Sequence, residues 1–463
     1  MVLKSAHPST SRSILGHGTR SLLAVGTAIL VGSFIATPPR VLPMGTAPPD
    51  RDERDTLVLE DGTELRGRVL RPYGETAVEI KVKGRTKSID RDKIVSRSTV
   101  NDRLAAWLNQ RRPSLSIDRQ WQLVQQAEGA GLPAMARLQA YHVLVLEPNH
   151  QAAHDFLDHR GKPEAWRWRF DGKLVTTDRF HKLAASDAGP LALSSEHWRV
   201  TCNAGLATTI ASLFELETLY VEFFSEFGPH LDPTEQIEPM DLRIYAQRDD
   251  MPAHSSFLSH PHYDPGELLS STLGTSSQSI THLELGQARP KRLFDLGTQQ
   301  ILYEAVLGFA LSQTPVDTSR FRANASLEIG FAHWMSTTFG GPFGYAERVG
   351  AVLAPEIRQA AEVALNGGID SSDPVERLAL YDYARYQIYE RGNPYVWAHT
   401  QAFFSWLMEP ATILPTTNQP GYEFVLCLLQ AIHRDALGSS TTRWDNCLGA
   451  PLGSLIEPYA SWL

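Results

Sequence analysis

The sequence is poor in the features that mark several common functional classes. Its 463 residues include only three cysteines, too few for a disulfide-rich scaffold. The formal net charge is −9, and no basic stripe with interleaved aromatic residues is present, which argues against a nucleic acid partner. The chain also has no G-x-S-x-G nucleophile turn and no G-x-x-x-x-G-K-[ST] phosphate loop. Serine hydrolases of that type and P-loop nucleotide-binding proteins therefore have no support from the sequence.

The composition is that of a globular protein with a sizeable core. Hydrophobic residues make up 42% of the chain and charged residues 21%, and the length allows two or three domains. Cys427 and Cys447 flank a loop of suitable length for a disulfide in an oxidising compartment. Spacing alone leaves that pairing open, with Cys202 as a buried thiol.

The N-terminal residues 1–36 predict export. Lys4, Arg12 and Arg20 precede an uncharged run from Ser21 to Ala36, which would form a helix about 24 Å long. That length is typical of the apolar core of a signal sequence. Cleavage after Ala36 would place the bulky Phe34 at position −3, so we favour an uncleaved transmembrane signal-anchor over a cleaved signal peptide. Either form places the rest of the chain on the extracytoplasmic (periplasmic) side, membrane-anchored or secreted.

Two small modules are expected after a Pro-rich linker at residues 37–54. Residues 55–100 alternate apolar and polar positions around Asp61-Gly62, a strong hairpin signal. They predict an antiparallel β-barrel of about five strands, SH3-like in scale, of a kind that usually mediates contacts. Residues 101–165 predict a helical spacer that resembles a partial tetratricopeptide (TPR-like) repeat, too short to stack a solenoid alone.

Residues 166–463 predict one larger α+β domain. A strand near His197–Thr201, a long helix from Ala207 to Phe227 and strands near 241–246 and 279–285 are followed by mostly helical sequence. Strands that precede a block of helices predict a small mixed sheet in a mostly helical α+β fold.

Two helical motifs in this domain carry the strongest functional signal. Around Glu304 the sequence has the apolar pattern of a zinc-peptidase helix, which normally reads H-E-x-x-H with two zinc-binding histidines around a general base. Here Tyr303 and Leu307 occupy the histidine positions. Downstream, Leu327-Glu328-Ile329-Gly330-Phe331-Ala332 is similar to the W-L-x-E-G-x-A helix that supplies a third, carboxylate ligand. In the register set by Gly330 and Ala332, that ligand position is Ile329, and Glu328 is one residue away.

This combination resembles a gluzincin-like family of exported bacterial proteins with a zinc metallopeptidase-like fold, over about the last 270 residues. The resemblance implies peptide-bond hydrolysis by a zinc-bound water, with Glu304 as the general base. Because Leu307 and Ile329 have no donor atom and a tyrosine phenol is a rare ligand, the ligand set is degenerate. Without a metal, the pKa of water is not lowered, and Glu304 has no activated nucleophile to generate.

We therefore expect a pseudo-peptidase with no cofactor, in which Glu304 is the remnant of a general base and Glu328 and His333 are possible cleft residues. Its expected role is to bind or scaffold a peptide or protein. The alternative is an active zinc metallopeptidase that takes ligands from other positions: His254, His260, His262 or His333. His260, His262 and Asp264 form an H-x-H-x-D pattern that can bind metal on a strand, although histidines beside proline and tyrosine are more typical of a solvated turn. A third hypothesis is an assembly protein that binds through its two small modules.

Overall fold

A computed structural model describes residues 54–112, 115–186, 191–235, 239–245, 279–282, 325–338, 355–363, 365–366, 394–433 and 440–463. The predicted N-terminal export segment and the predicted helix around Glu304 lie outside these residues. Within them the fold is mixed α+β, with helices and several small sheets, which confirms the predicted class. None of the described helices is both long enough and apolar enough to cross a membrane.

The β module is an antiparallel five-stranded sheet. Its strands are β1 (Asp55–Leu59), β2 (Glu64–Arg71), β3 (Ala77–Val82), β4 (Arg85–Asp90) and β5 (Ile94–Ser98), in the order β4-β3-β2-β1-β5. The turn between β1 and β2 uses Gly62 at a φ of 81°, and Thr63 N–H donates to Asp61 Oδ1 at 2.8 Å. Leu57, Val69, Val78 and Ile80 form its own buried core. The predicted number of strands and the Asp61-Gly62 hairpin are confirmed, while closure as an SH3-like barrel stays a prediction.

The helical spacer contains four described helices: α1 (Val100–Leu108), α2 (Ile117–Gly129), α3 (Pro133–Leu146) and α4 (Gln151–Phe156). α1 begins with a capping box, in which the Thr99 hydroxyl accepts from Asp102 N–H and the Asp102 carboxylate accepts from Thr99 N–H. The Trp107 indole N–H donates to Leu123 O at 2.9 Å and so ties α1 to α2. The helices agree with the prediction, and the TPR-like relationship stays a prediction.

The larger domain opens with a hairpin of β6 (Arg167–Phe170) and β7 (Lys173–Thr176), followed by α5 (Thr177–Ala184). Its mixed sheet has the order β11-β10-β9-β8 and consists of β8 (Leu191–Ser194), β9 (Trp198–Cys202), β10 (Met240–Tyr245) and β11 (Ser279–His282). β8 and β9 are antiparallel, whereas β9, β10 and β11 run parallel. Parallel neighbours need a crossover, which α6 (Leu206–Leu231) provides between β9 and β10. α6 is buried along most of its length and forms the centre of the core.

The C-terminal part is helical. Its described helices are α7 (Ala325–Thr338), α8 (Pro355–Val363), α9 (Pro394–Leu407), α10 (Gly421–His433), α11 (Ser440–Leu448) and α12 (Ile456–Trp462), with a short hairpin of β12 (Ile413–Leu414) and β13 (Gln419–Pro420). Phe403 of α9, Trp444 of α11 and Tyr459 of α12 pack together as an aromatic core. The predicted order of strands, long helix, strands and late helices is thus found in the described residues.

Cys427 of α10 and Cys447 of α11 are joined by a disulfide with a Cα–Cα distance of 5.6 Å, and Cys202 is a buried free thiol. This resolves the pairing that the spacing had left open. We predict that maleimide labels one thiol per chain in denaturant without reductant, and three after reduction. Mass spectrometry of the labelled protein would check this, and three reactive thiols before reduction would contradict it.

Candidate functional site

The structure places the sequence-predicted site residues only in part. Glu304, Tyr303 and Leu307 lie outside the described residues, as do His254, His260, His262 and Asp264. Glu328, Ile329 and His333 are residues of α7. At 100° per residue, positions 329 and 333 lie within about 40° of each other around this helix, whereas positions 328 and 333 are about 140° apart. Glu328 and His333 are therefore not on one face of α7.

The glycine of the second motif is a close-approach point between two helices. Gly330 is buried, and a Cβ added to it would lie 2.1 Å from Cδ2 of Phe404 on α9. On the same helix, Phe331 packs against Phe227 of α6 with ring centroids 5.0 Å apart, and Ala332 is fully buried. α7 therefore lies between α6 and α9 and approaches α9 more closely than any side chain at position 330 would permit.

The sequence has no donor atom at two of the positions where the gluzincin motifs place zinc ligands. Among the described residues, no group of three or more His, Cys, Asp or Glu side chains is arranged to hold a metal ion. At the positions that the two motifs assign to ligands, Leu307 and Ile329 carry hydrocarbon side chains, and zinc needs about three N, O or S donors. We therefore derive no catalytic step through zinc.

A group of buried charged and polar residues lies where the β module, the spacer and the larger domain meet. We call Asp55, Arg68, Asn101 and Glu235 the junction cluster. Asp55 accepts from Val69 N–H at 2.8 Å and from Val100 N–H at 2.7 Å, which ties β2 and the start of α1 to β1. All four side chains are buried.

The junction cluster holds one cation between two carboxylates. The Arg68 guanidinium lies 3.9 Å from Asp55 and 3.7 Å from Glu235. Asn101 Nδ2 donates to Glu235 at 2.8 Å, and Glu235 N–H donates to Leu70 O at 2.7 Å. Burial raises the pKa of Glu235 to about 8, with Arg68 acting against the rise and Asp55 adding to it. A protonated Glu235 leaves Asp55 and Arg68 as a neutral buried pair, which avoids an uncompensated buried charge.

Two further contacts complete this interface. Arg54 donates to Glu196 at 2.7 Å, and both side chains are buried. Tyr73 of the β module lies over Gly228 of α6, where an added Cβ would be 2.4 Å from the tyrosine ring. The β module is thus fixed to the larger domain by buried charge, through Glu196 and Glu235, and to α6 by the close packing of Tyr73.

A buried histidine–glutamate pair lies beside this interface. Glu217 of α6 accepts from the backbone N–H of His197 and pairs with His197 Nδ1, both at 2.7 Å, and the His197 ring stacks on Tyr220 at 3.7 Å. Burial alone would raise the pKa of Glu217, but the charge of His197 and hydrogen bonds from His197 and Ser195 outweigh it and lower the pKa. The pair therefore holds the turn between β8 and β9 against α6.

Ser195, His197 and Glu217 include the residue types of a hydrolase triad without its geometry. A nucleophilic serine must donate to the imidazole nitrogen that faces away from the carboxylate. Here the Ser195 hydroxyl is within reach of Glu217 and of Trp198 O, while His197 Nε2 is buried without a hydrogen-bond partner. All three side chains are buried, so this group has a structural role.

A histidine pair stabilises the end of the spacer. His154 Nε2 lies 2.8 Å from Pro148 O, and a carbonyl only accepts, so Nε2 carries the proton. His154 Nδ1 then accepts from His159 Nδ1–H at 2.9 Å. The two rings pack against Trp166 and Trp168, at centroid distances of 3.9 Å and 4.5 Å respectively. Burial lowers the pKa of His159 to about 3, with His154 adding to the effect, and burial also lowers the pKa of His154.

The lowered pKa values of His154 and His159 predict that the spacer loses stability in acid. Below about pH 6.5 His159 is protonated in the unfolded chain, whereas in the folded chain it stays neutral down to about pH 3. Stability is therefore lost as the pH falls through this window, at a limiting slope of about 1.4 kcal/mol per pH unit for His159. We expect the urea midpoint to fall between about pH 6.5 and 4, and His159→Asn, which retains a donor, to reduce the slope. An unchanged slope in that variant would contradict this assignment.

The junction cluster, the His197–Glu217 pair and the His154–His159 pair were not predicted from the sequence. One signal was present, because Glu215 and Glu217 interrupt the long apolar run of α6, and buried carboxylates need partners. The partners of the buried carboxylates could not be identified from the sequence, since His197 and Glu217 are 20 residues apart and Asn101 and Glu235 are 134 residues apart.

No family model, curated protein or solved structure matches the sequence.

Proposed function

We propose that the protein is an exported, membrane-anchored pseudo-peptidase with a gluzincin-like C-terminal domain that binds a peptide or protein segment without cleaving it. The proposal needs no cofactor. In this role Glu304 is the remnant of a general base, and Glu328 and His333 are candidate residues of the binding cleft.

The packing of α7 is the observation that carries the proposal. Gly330 lies against Phe404 with no room for a Cβ, and Ala332 is buried. Small residues at these two positions support the register in which position 329 corresponds to the carboxylate ligand. Isoleucine at 329 cannot bind zinc, while Gly330 and Ala332 keep α7 closely packed against its neighbours.

The disulfide supports export. Cys427 and Cys447 are bonded, and disulfides persist mainly in oxidising compartments outside the cytosol. Together with the basic and then apolar sequence of residues 1–36, the disulfide favours an extracytoplasmic location for the domains.

The test uses residues 39–463, which form one compact unit by themselves. We expect the purified fragment to contain substoichiometric zinc, to leave a broad peptide library uncut, and to retain a subset of its peptides. Elemental analysis, mass spectrometry of the library and affinity selection would measure these three properties. Because Glu304 has no metal-bound water to activate, Glu304→Ala should change neither metal content nor cleavage.

Two results would contradict the proposed function. One zinc per chain, together with peptide cleavage that a chelator and Glu304→Ala both abolish, would overturn the pseudo-peptidase and favour the active alternative. Peptide retention that is lost on surface substitutions in residues 55–160 and unaffected by Glu328→Ala and His333→Ala would instead favour binding through the small modules.

A further inference from the structure

The hairpin of β3 and β4 concentrates positive charge at one end of the β module. The nine residues from Ile80 to Ser88 contain four cations and no carboxylate: Lys81, Lys83, Arg85 and Lys87. The chain turns at Lys83 and Gly84, with φ values of 49° and 77°, and every residue from Lys83 to Ser88 is exposed. We call Lys83, Arg85 and Lys87 the basic tip.

The strand register places two of these cations on the apolar side of the sheet. Arg85 pairs with Val82, and Lys87 pairs with Ile80, so both share a face with the core residue Ile80. They are two residues apart on one strand, about 7 Å, and both are exposed. Like charges at this distance repel, and an external anion between them would relieve that repulsion.

The basic tip differs from other exposed cations of the same module. Lys93 pairs with Asp90 and Arg66 with Glu64, so those charges are balanced locally. Among the described residues, none of the three cations of the basic tip forms a salt bridge. β4 is also an edge strand of the sheet, so the tip projects from the module rather than into a neighbouring strand.

The position of the β module along the chain favours membrane phospholipid as the source of the anion. The β module begins at Asp55, after the linker of residues 37–54 and the proposed anchor at 21–36. A fully extended linker of that length spans at most about 60 Å, which keeps the first folded module near the membrane surface. Lys and Arg side chains held close to a membrane surface are attracted to its anionic headgroups.

We propose that the basic tip binds anionic phospholipid headgroups of the membrane in which the protein is anchored. This inference rests on the proposed membrane anchorage. It implies that the β module orients the larger domain relative to the membrane and does not serve only as a spacer.

The test measures sedimentation of residues 39–463 with lipid vesicles, so that the anchor makes no contribution. We expect binding to vesicles of phosphatidylglycerol mixed with phosphatidylcholine, no binding to pure phosphatidylcholine, and a steep loss with added salt. Each cation near the surface contributes about fivefold in affinity. The triple variant Lys83→Glu, Arg85→Glu, Lys87→Glu should therefore lose at least about 100-fold.

The matched control reverses three exposed cations elsewhere with the same change in net charge: Lys162→Glu, Lys173→Glu, Lys182→Glu. It should bind nearly as the parent does. An equal loss in both variants, or no binding of the parent to anionic vesicles, overturns the proposal. Full displacement by soluble glycerol phosphate at the same phosphate concentration also overturns it, because a surface effect requires many adjacent headgroups.

The anchorage itself is tested separately on the full chain. Release of the full chain from cell membranes by alkaline carbonate would refute the anchor, whatever the vesicle result. Vesicle binding by the fragment would then identify a peripheral membrane surface, whereas retention of the full chain without vesicle binding would refute only the basic tip.

Discussion

Arg68→Met is expected to lower the free energy of unfolding by about 3–5 kcal/mol, because it leaves the buried Asp55 carboxylate without its cation. Methionine keeps much of the volume of the arginine stem, so the loss reports charge more than packing. The urea midpoint of residues 39–463 would measure the change.

The β module offers a matched control two residues earlier on the same strand. Arg66 pairs with Glu64 at 2.9 Å, but both side chains are exposed, so Arg66→Met should cost less than about 1 kcal/mol. The double variant Arg68→Met, Glu235→Gln should recover little of this loss, since a protonated Glu235 carries no charge that needs compensation. Equal effects of Arg66→Met and Arg68→Met would show that the junction cluster contributes little.

Gly330→Leu is expected to destabilise the C-terminal helices by more than about 3 kcal/mol, at the upper end of the cost of overpacking. Even the Cβ of alanine would lie 2.1 Å from the Phe404 ring, so Gly330→Ala should already be harmful. The reason is the close approach of α7 and α9, two helices of the same core. Thermal unfolding followed by near-UV circular dichroism would report the loss of aromatic packing.

Gly129 on α2 provides the comparison, since a Cβ added there meets no atom within 4 Å. Gly129→Ala should change stability by no more than about 1 kcal/mol, and in the stabilising direction. Phe404→Ala should cost less stability in the Gly330→Ala background than in the parent protein, because it removes the atoms that clash with the added Cβ. Additive effects of the two substitutions would mean that residues 330 and 404 do not share the contact described above.

The secondary structure was largely predictable because its signals are local. The alternation around Asp61-Gly62 predicted the β1–β2 hairpin, and the apolar face of Ala207 to Phe227 predicted α6, which spans Leu206–Leu231. The pattern of strands followed by helices was enough for the α+β class. Each of these inferences needs only neighbouring residues, whose spacing reports which face is buried.

The tertiary features were not predictable, because their partners come from distant parts of the chain. Arg54 and Glu196 are 142 residues apart, and nothing near Arg54 identifies its carboxylate. The spacing of Cys427 and Cys447 allowed a disulfide without establishing it. The lack of metal-binding atoms at positions 307 and 329 was predictable from the sequence, because leucine and isoleucine have hydrocarbon side chains in any fold.

The junction cluster also bears on how the protein unfolds. A cut near residue 100 looks natural in the sequence, yet it would separate Asp55 and Arg68 from Asn101 and Glu235, which are buried together. Removing either side would leave ionisable groups without partners, so the β module and α6 should gain and lose structure in one cooperative step. Amide hydrogens of Val69 and of the α6 backbone are then expected to exchange with a common opening free energy. The module boundary that the sequence predicts near residue 100 should therefore not separate two independently unfolding units.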